Sequence, residues 1–251
     1  MSAQAWDTVA TSFDDEIFNT LASDRNNIIR SHIEQFSSPD LAACDFGCGV
    51  GRYLPLLARK FKAVCAVDIS RKCLAVAERN CASLDNVTYW KLDLSTNHSR
   101  LDKFDFAISI NALLDPSLRK RRAALETIFQ HLKPQGHLVV VAPSLESALF
   151  STSRLYDWRH RTNNARKNGF AIKLGAKDAR SLDVARGVLN LDGWLEKHYL
   201  KEELLVALQE VGFEVQHFEK VEYSWTCMFD KPPRWMKDPY PWDWLATCRK
   251  N

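Results

Sequence analysis

Glycine is scarce in this chain, nine residues in 251, and long apolar runs are missing altogether. No stretch approaches the roughly 18 apolar residues of a membrane span, and the opening "MSAQAWDTVATSFDDE" has no basic start leading into an apolar segment. A cytoplasmic protein with no membrane partner is the expectation. There is no Cys-x-x-Cys pair and no adjoining histidine. The seven cysteines, Cys44, Cys48, Cys65, Cys73, Cys81, Cys227 and Cys248, are odd in number and scattered, which reads as reduced, packed thiols rather than a metal-binding or catalytic cluster. No Gly-Lys-Ser or Gly-Lys-Thr occurs, so the loop that cradles nucleoside triphosphates is absent. Charge leans little either way: the net charge is +3, with 46% hydrophobic and 26% charged residues, as for an ordinary single globular domain spanning 1–251.

Against these absences stands a regular alternation. Short β-branched-rich runs occur at 41–46, 63–68, 87–92, 104–110 and 137–143, and between them lie segments of helical period. Leu54, Leu57, Ala58 and Phe61 repeat after the first run, Leu74, Ala77 and Cys81 after the second, and Leu118, Leu125, Ile128 and Leu132 after the fourth. Strands alternating with helices predict an α/β fold, a doubly wound parallel sheet with right-handed crossovers and helices on both faces. Ligands of such sheets bind outside the carboxyl ends of the strands. Ser70 reads as the cap of the second crossover helix, and Pro134 with Gly136 as the stop of the fourth and the turn into the fifth strand. "DRNNIIRSHIEQF" (24–36) reads as an amphipathic helix ahead of the sheet, within an N-terminal helical segment, 1–40.

The alternation breaks between 144 and 197, too long for a loop and read as an insertion with a helix or two. It is basic at Arg154, Arg159, Arg161, Arg166, Lys167, Lys173, Lys177 and Arg180 against Asp157 and Asp178, either a solvated face or an attraction for something anionic. The pattern resumes with a helix closed by Gly212, then a strand, then a last strand at 242–250. The four prolines of "DKPPRWMKDPYPW" require an irregular excursion before that last strand.

Three of the nine glycines fall in five residues of "DFGCGVGRY" (45–53), where a strand runs into a turn and a helix. Such a turn is expected to bring backbone N–H groups close to a ligand. A dinucleotide fingerprint starting at Gly47 needs Gly or Ala at 52, where Arg52 stands instead. The acidic Asp45 ahead of the glycines would repel a pyrophosphate but could accept hydrogen bonds from a cationic amino-acid group.

In this form, [D/E]-x-G-x-G-x-G, the stretch resembles the first motif of the class I S-adenosylmethionine (SAM) dependent methyltransferases, of the small-molecule type. The resemblance continues through "AVDIS", "WKLDLS", "FDFAISINALLD", "LKPQGHLVVVAPS" and "LKEELLVALQEVGFEV", covering roughly 1–143 and 198–250. It implies a Rossmann-like, seven-stranded sheet, mostly parallel, with an antiparallel last strand. It implies S-adenosyl-L-methionine as cofactor, held by Asp45, Gly47 and Gly49, by Asp68 with Ile69 at the ribose hydroxyls, by Asp93 with Leu94 at the adenine, and by Asn111 on the floor near the departing methyl. "WDTVATSFDDEIF" is similar to the segment that members lay over the cofactor, with Trp6 and Phe13 as lid residues.

SAM carries its own reactivity, so no catalytic residue is obligatory, and none is assigned. "NALLDP" in place of an Asn/Asp-Pro-Pro-aromatic turn argues against base and glutamine amide methylation. "APSLES" lacks the Asp-Asn pair of magnesium-dependent catechol methylation, so no metal site is expected, although Asp115 could supply its first acid. A small molecule accepting methyl at O, N or S is the expected partner, in a pocket built by the insertion, the N-terminal segment and the 225–244 excursion. The candidates for its walls are Tyr156, Trp158, His160, Trp194, His198, Tyr199, Trp225 and Trp235, with histidine or tyrosine as the general base. A protein or RNA acceptor, and so a nucleic-acid partner, is the alternative, supported by the basic insertion and the run Arg119 to Arg122; a catalytically silent SAM-binding subunit is the other.

Overall fold

The computed structural model describes residues 2–96, 101–162, 183–191 and 193–251. Four short helices, α1 (Ala3–Val9), α2 (Phe13–Glu16), α3 (Thr20–Ser23) and α4 (Ile28–Gln35), precede β1 (Ala42–Phe46). The alternating part follows as α5 (Leu54–Ala58), β2 (Ala63–Asp68), α6 (Arg71–Asn80), β3 (Val87–Lys91), β4 (Phe104–Ile110), α7 (Leu118–Gln130) and β5 (Leu132–Pro143). Beyond it come α8 (Leu145–Arg161), β6 (Val188–Leu191), β7 (Trp194–Lys197), α9 (Lys201–Val211), β8 (Phe213–Glu222) and β9 (Trp242–Lys250).

Seven strands form one sheet in the order β3-β2-β1-β4-β5-β9-β8. Strands β1 to β5 pair in parallel, while β9 runs antiparallel to both β5 and β8, between them. Because the order reverses at β1, the crossovers leave on opposite sides and open a crevice at the carboxyl ends of β1 and β4. Strand residues alternate between two cores, as a sheet covered on both faces demands. Ala43, Val64, Ala66, Phe106 and Ile108 pack with α4, α5 and α6, whereas Cys44, Cys65, Val67 and Ala107 pack with α7 and α9. Six of the seven cysteines are buried.

Local chemistry sets most boundaries. The Ser70 side chain accepts from Cys73 N and starts α6, and Gly212, at φ 111°, closes α9. Two expected boundaries move. The helix read over 24–36 begins only at Ile28, because Asn27 is left-handed and the Asp24 carboxylate takes the N–H groups of Asn26 and Ile29. The strand read from 137 starts pairing at Leu132, opposite Phe104, and its register shifts before His137 pairs Phe106. Helix α7 has already ended at Gln130, ahead of Pro134.

Among the described residues, the 144–197 stretch holds one helix, α8, and the hairpin β6–β7. The basic residues Arg166, Lys167, Lys173, Lys177 and Arg180 lie outside the described residues. On α8, Arg154 and Arg161 both pair with Asp157 and sit over the Trp235 ring, at 5.0 and 4.4 Å from its centroid. Three of the four cations of the run 119–122 spend their charge within the chain too. Lys120 meets Asp115, the buried Arg121 donates to the carbonyls of Asp115 and Pro116, and Arg122 faces Glu126 and Glu210. No helix among the described residues is long and apolar enough to cross a membrane.

Candidate active site

The crevice is a cavity of about 340 Å³. Its sheet-side wall contains all eight residues singled out in the sequence: Asp45, Gly47, Gly49, Asp68, Ile69, Asp93, Leu94 and Asn111. Strand direction explains the convergence, since each acid ends or directly follows a parallel strand and all of these tips face one way. Gly47 has φ 88°, and a Cβ there would lie 2.4 Å from the Ala112 Cβ. The turn therefore passes the end of β4 at a distance that only glycine permits.

The N–H groups of the three motif glycines, expected to approach a ligand, are taken within the chain. The N–H groups of Gly47 and Cys48 go to Val67 O, at 2.7 and 3.0 Å, and that of Gly51 goes to Cys48 O. Gly49 N donates to Asp68 Oδ2 at 2.9 Å, and Ser70 N to Asp68 Oδ1 at 2.8 Å. What the turn supplies is shape, a concave edge pinned to the tip of β2. The polarity of the site comes from its acids. Asp45 is 2% exposed and its Oδ2 has no partner, so burial, and then the charge of Asp68, pushes its carboxyl up to about 8. Burial also raises Asp68, against the backbone donors that hold it down. Asp93 receives Ser95 N and Oγ at 2.9 and 2.7 Å. Asn111 adopts a left-handed φ of 49°; its Nδ2 donates to Asp243 Oδ2 at 3.2 Å and its buried Oδ1 has no partner. A buried carboxylate without a counter-ion suits a cationic group and opposes a phosphate.

The opposite wall comes from the N-terminal helices and the hairpin. Trp6, Phe13, Ile17, Phe18 and Thr20 line it from one side, Leu191 and Glu196 from the other. Arg52 closes the N-terminal segment down: its guanidinium donates to the Asp14 carboxylate and to the carbonyls of Phe13, Ile17 and Phe18. The residue that spoiled the dinucleotide fingerprint thus ties the segment to the glycine turn. At the far end, the Asp7 carboxylate accepts from Ser70 Oγ at 2.5 Å and Lys72 N at 3.2 Å, so α1 docks on the start of α6. The Trp6 ring meets Phe13 at 6.3 Å and Trp194 at 6.0 Å, centroid to centroid, closing the roof between segment and hairpin.

None of the eight aromatic and histidine candidates for the acceptor wall lines the cavity, and Trp194 approaches it only through Trp6. Tyr199 is core: its hydroxyl donates to Leu113 O at 2.7 Å, and burial drives the phenol up. The ring nitrogens of His198 are buried away from the cavity lining, and desolvation pushes its imidazole down to about 4. Trp225 stacks on Phe229, Trp158 packs on the same ring, and Trp235 lies under the arginines of α8, a small separate core that fastens the tail to α8. Tyr156 and His160 are on the exposed side of α8. The physical reason is shared: the tail's large apolar surface finds α8 to cover and is consumed there.

Two acids were missed instead. Glu196 lines the cavity from β7, and burial followed by the charge of Asp243 pushes it up to about 7. Asp243, on β9, is half-buried beside Asn111 and accepts the Tyr223 hydroxyl at 2.9 Å. A signal for Glu196 did exist: in β7 the apolar Leu195 faces out, 47% exposed, while the acid beside it faces in.

Residues 43–136 match a family model described as a methyltransferase domain. No curated protein sequence matches the chain. Among solved structures, a SAM-dependent methyltransferase from Methanosarcina mazei is 19% identical at a TM-score of 0.63, with 87% of this chain and 96% of that one covered. One from Mesorhizobium loti is 22% identical at a TM-score of 0.60, over 89% and 97%. The N-methyltransferase NodS from Bradyrhizobium japonicum, in complex with S-adenosyl-L-homocysteine, is 14% identical at 0.59, over 97% and 99%. Residues 43–136 thus carry a methyltransferase domain, and the fold around it is the one these SAM-dependent methyltransferases share.

Proposed function

We propose that the protein transfers the methyl group of S-adenosyl-L-methionine to a small molecule bound between the strand tips and the hairpin. The observation that carries this is the convergence of Asp45, Asp68, Asp93 and Asn111 on one cavity, with Asp45 buried and its Oδ2 unpartnered. In this reading Asp45 faces the ammonium end of the cofactor. Asp68, with lone pairs left after accepting from Gly49 and Ser70, takes the ribose hydroxyls. Asp93, with Leu94, meets the adenine amine, Gly47, Gly49 and Ile69 shape the walls, and Asn111 marks the floor. The cofactor supplies an activated methyl. The chain's own residues hold the acceptor in line with it and exclude water.

The lid is the segment 1–40 and the acceptor wall includes the hairpin of the 144–197 insertion, within one domain spanning 1–251. The small-molecule reading is favoured by the roof that Trp6, Phe13 and Trp194 make over the cavity, and by Lys120, Arg121 and Arg122 being spent on partners within the chain. One similar fold, 17% identical at a TM-score of 0.61, is a [4+2]-cyclase, so the reaction has to be tested directly. Incubation with labelled SAM and a metabolite pool is expected to yield labelled products with the wild type and none with Asp68→Ala. Tight SAM binding with no product from any pool would sink methyl transfer in favour of a silent SAM-binding subunit.

A further inference from the structure

The charges of the cavity wall are nearly all spoken for. Its cations, Arg52, Lys120 and Arg121, each bind acids or carbonyls of the chain. Among its acids, Asp68 and Asp93 hold backbone and hydroxyl donors, Asp115 holds Ser117 N and Lys120, and Glu16 holds the Ser12 hydroxyl. Two carboxylates remain without a hydrogen-bond or ion-pair partner among the described residues, Asp45 and Glu196. Asp45 belongs to the cofactor end. Glu196 does not: it arrives on the hairpin, from across the cavity.

A second observation concerns Asn111. Its amide nitrogen is committed to Asp243 Oδ2, which also takes the Tyr223 hydroxyl, so the amide must turn its oxygen away from Asp243. That oxygen is buried, unpartnered, and belongs to a residue of the cavity wall. Glu196 and Asn111 thus leave two acceptors and ask for a ligand rich in donors. The rings of Trp6, Phe13, Phe18 and Tyr53 line the same cavity, and aromatic faces attract cations.

We propose that the methyl acceptor is an amine, bound as its ammonium by the Glu196 carboxylate and the Asn111 carbonyl oxygen, and that Glu196 takes the proton its nitrogen must lose before attack. The proposal rests on the methyl-transfer reading and names its substrate class. The ammonium gives one proton to Glu196, which frees the nitrogen lone pair. The N–C bond forms as the methyl C–S bond breaks, and that electron pair stays on sulfur, which passes from sulfonium to neutral thioether. The product leaves as a methylated ammonium and Glu196 returns its proton to solvent. A carboxyl titrating at about 7 is suited to both holding and releasing that proton. Of the other ionisable groups, Asp243 acts on it directly, the same cavity carries Glu16, Asp45, Tyr53, Asp68 and Arg121, and the neighbouring Lys197 has its ammonium turned to Glu203.

Calorimetric titration of the whole chain with benzylamine and with its neutral isostere benzyl alcohol, each with and without S-adenosylhomocysteine, tests the idea. Benzylamine is expected to bind at least about tenfold more tightly than the alcohol. Its affinity should rise between pH 6 and 8, as Glu196 ionises while the amine stays protonated. Glu196→Gln should lose roughly ten- to a hundredfold in amine affinity, the range for a charged hydrogen bond, and its pH dependence should flatten while S-adenosylhomocysteine still binds. Equal binding of amine and alcohol, no binding of benzylamine or of n-butylamine, or an unchanged Glu196→Gln overturns the proposal. The first two of these are read on the wild type and do not depend on the variant folding. Failure of S-adenosylhomocysteine to bind overturns the methyl-transfer reading instead, and the amine titration without it is scored separately.

Discussion

On the sheet side of the cavity, positions are set by main chain. Three parallel strand tips deliver Asp45, Asp68 and Asp93, and the glycine turn is pinned by Val67 O and Asp68. On the facing side, positions are set by side chains reaching across long stretches of sequence. Arg52 gathers Asp14 and three carbonyls, Asp7 finds Ser70, and Trp6 meets Trp194. The hairpin is anchored by Lys197 N to Leu114 O at 2.9 Å and by the buried Lys197 ammonium on Glu203 at 2.6 Å. The difference teaches where variation is tolerated: the main-chain wall suits an invariant ligand, and the side-chain wall can be rebuilt for different acceptors.

The largest expected effect strikes the first wall. Asp68→Ala removes the proposed ribose ligand and the anchor of Gly49 and Ser70 together. SAM affinity by calorimetry should fall a hundredfold or more, since two or more charge-assisted hydrogen bonds are lost. Next, two glycines at similar φ separate the walls. Gly47→Ala, at φ 88° with a contact at 2.4 Å, should cost roughly 1–3 kcal/mol in denaturant unfolding and weaken SAM binding. Gly193→Ala, at φ 93° in the hairpin turn with nothing within 4 Å, should cost about 1 kcal/mol and leave SAM binding alone. Equal losses for both would erase the distinction.

Arg52→Met keeps the stem and removes the latch. Roughly tenfold weaker SAM binding and faster proteolysis ahead of Asp24 are expected, with little change in global unfolding because the Asp14 partner is exposed. The remaining test is in pH. Asp45 releases its proton near 3.8 when unfolded and at about 8 when folded, so its contribution to stability is complete below 3.8 and is lost as pH rises through 8. Asp45→Asn should flatten that slope in apo unfolding curves. In the wild type at pH 7, SAM binding should release up to one proton, seen by calorimetry in buffers of different ionisation enthalpy. A proton count unaffected by the substitution would show that Asp45 does not meet the cationic end.

The first wall was legible because its cause is local. A glycine triplet behind an acid, and acids at successive strand ends, are short patterns that a parallel sheet converts directly into one site. The second wall was misread for the opposite reason. Eight bulky residues were assigned to it on type alone, yet Trp225 and Trp235 are used up covering α8 and Tyr199 is drawn into the core through Leu113 O. Arg52 was read only as an obstacle to a dinucleotide. Its five donors acquire a purpose once Phe13, Asp14, Ile17 and Phe18 come within reach.

Period, glycine spacing and strand-end acids, each a short local pattern, were enough to define the sheet and the crevice, and the resemblance they carry implied the cofactor. Which acid faces the acceptor was not written that way. Glu196 lies 151 positions after Asp45, and its burial, and the charge of Asp243 that raises it, arise only when hairpin and sheet close on the same space.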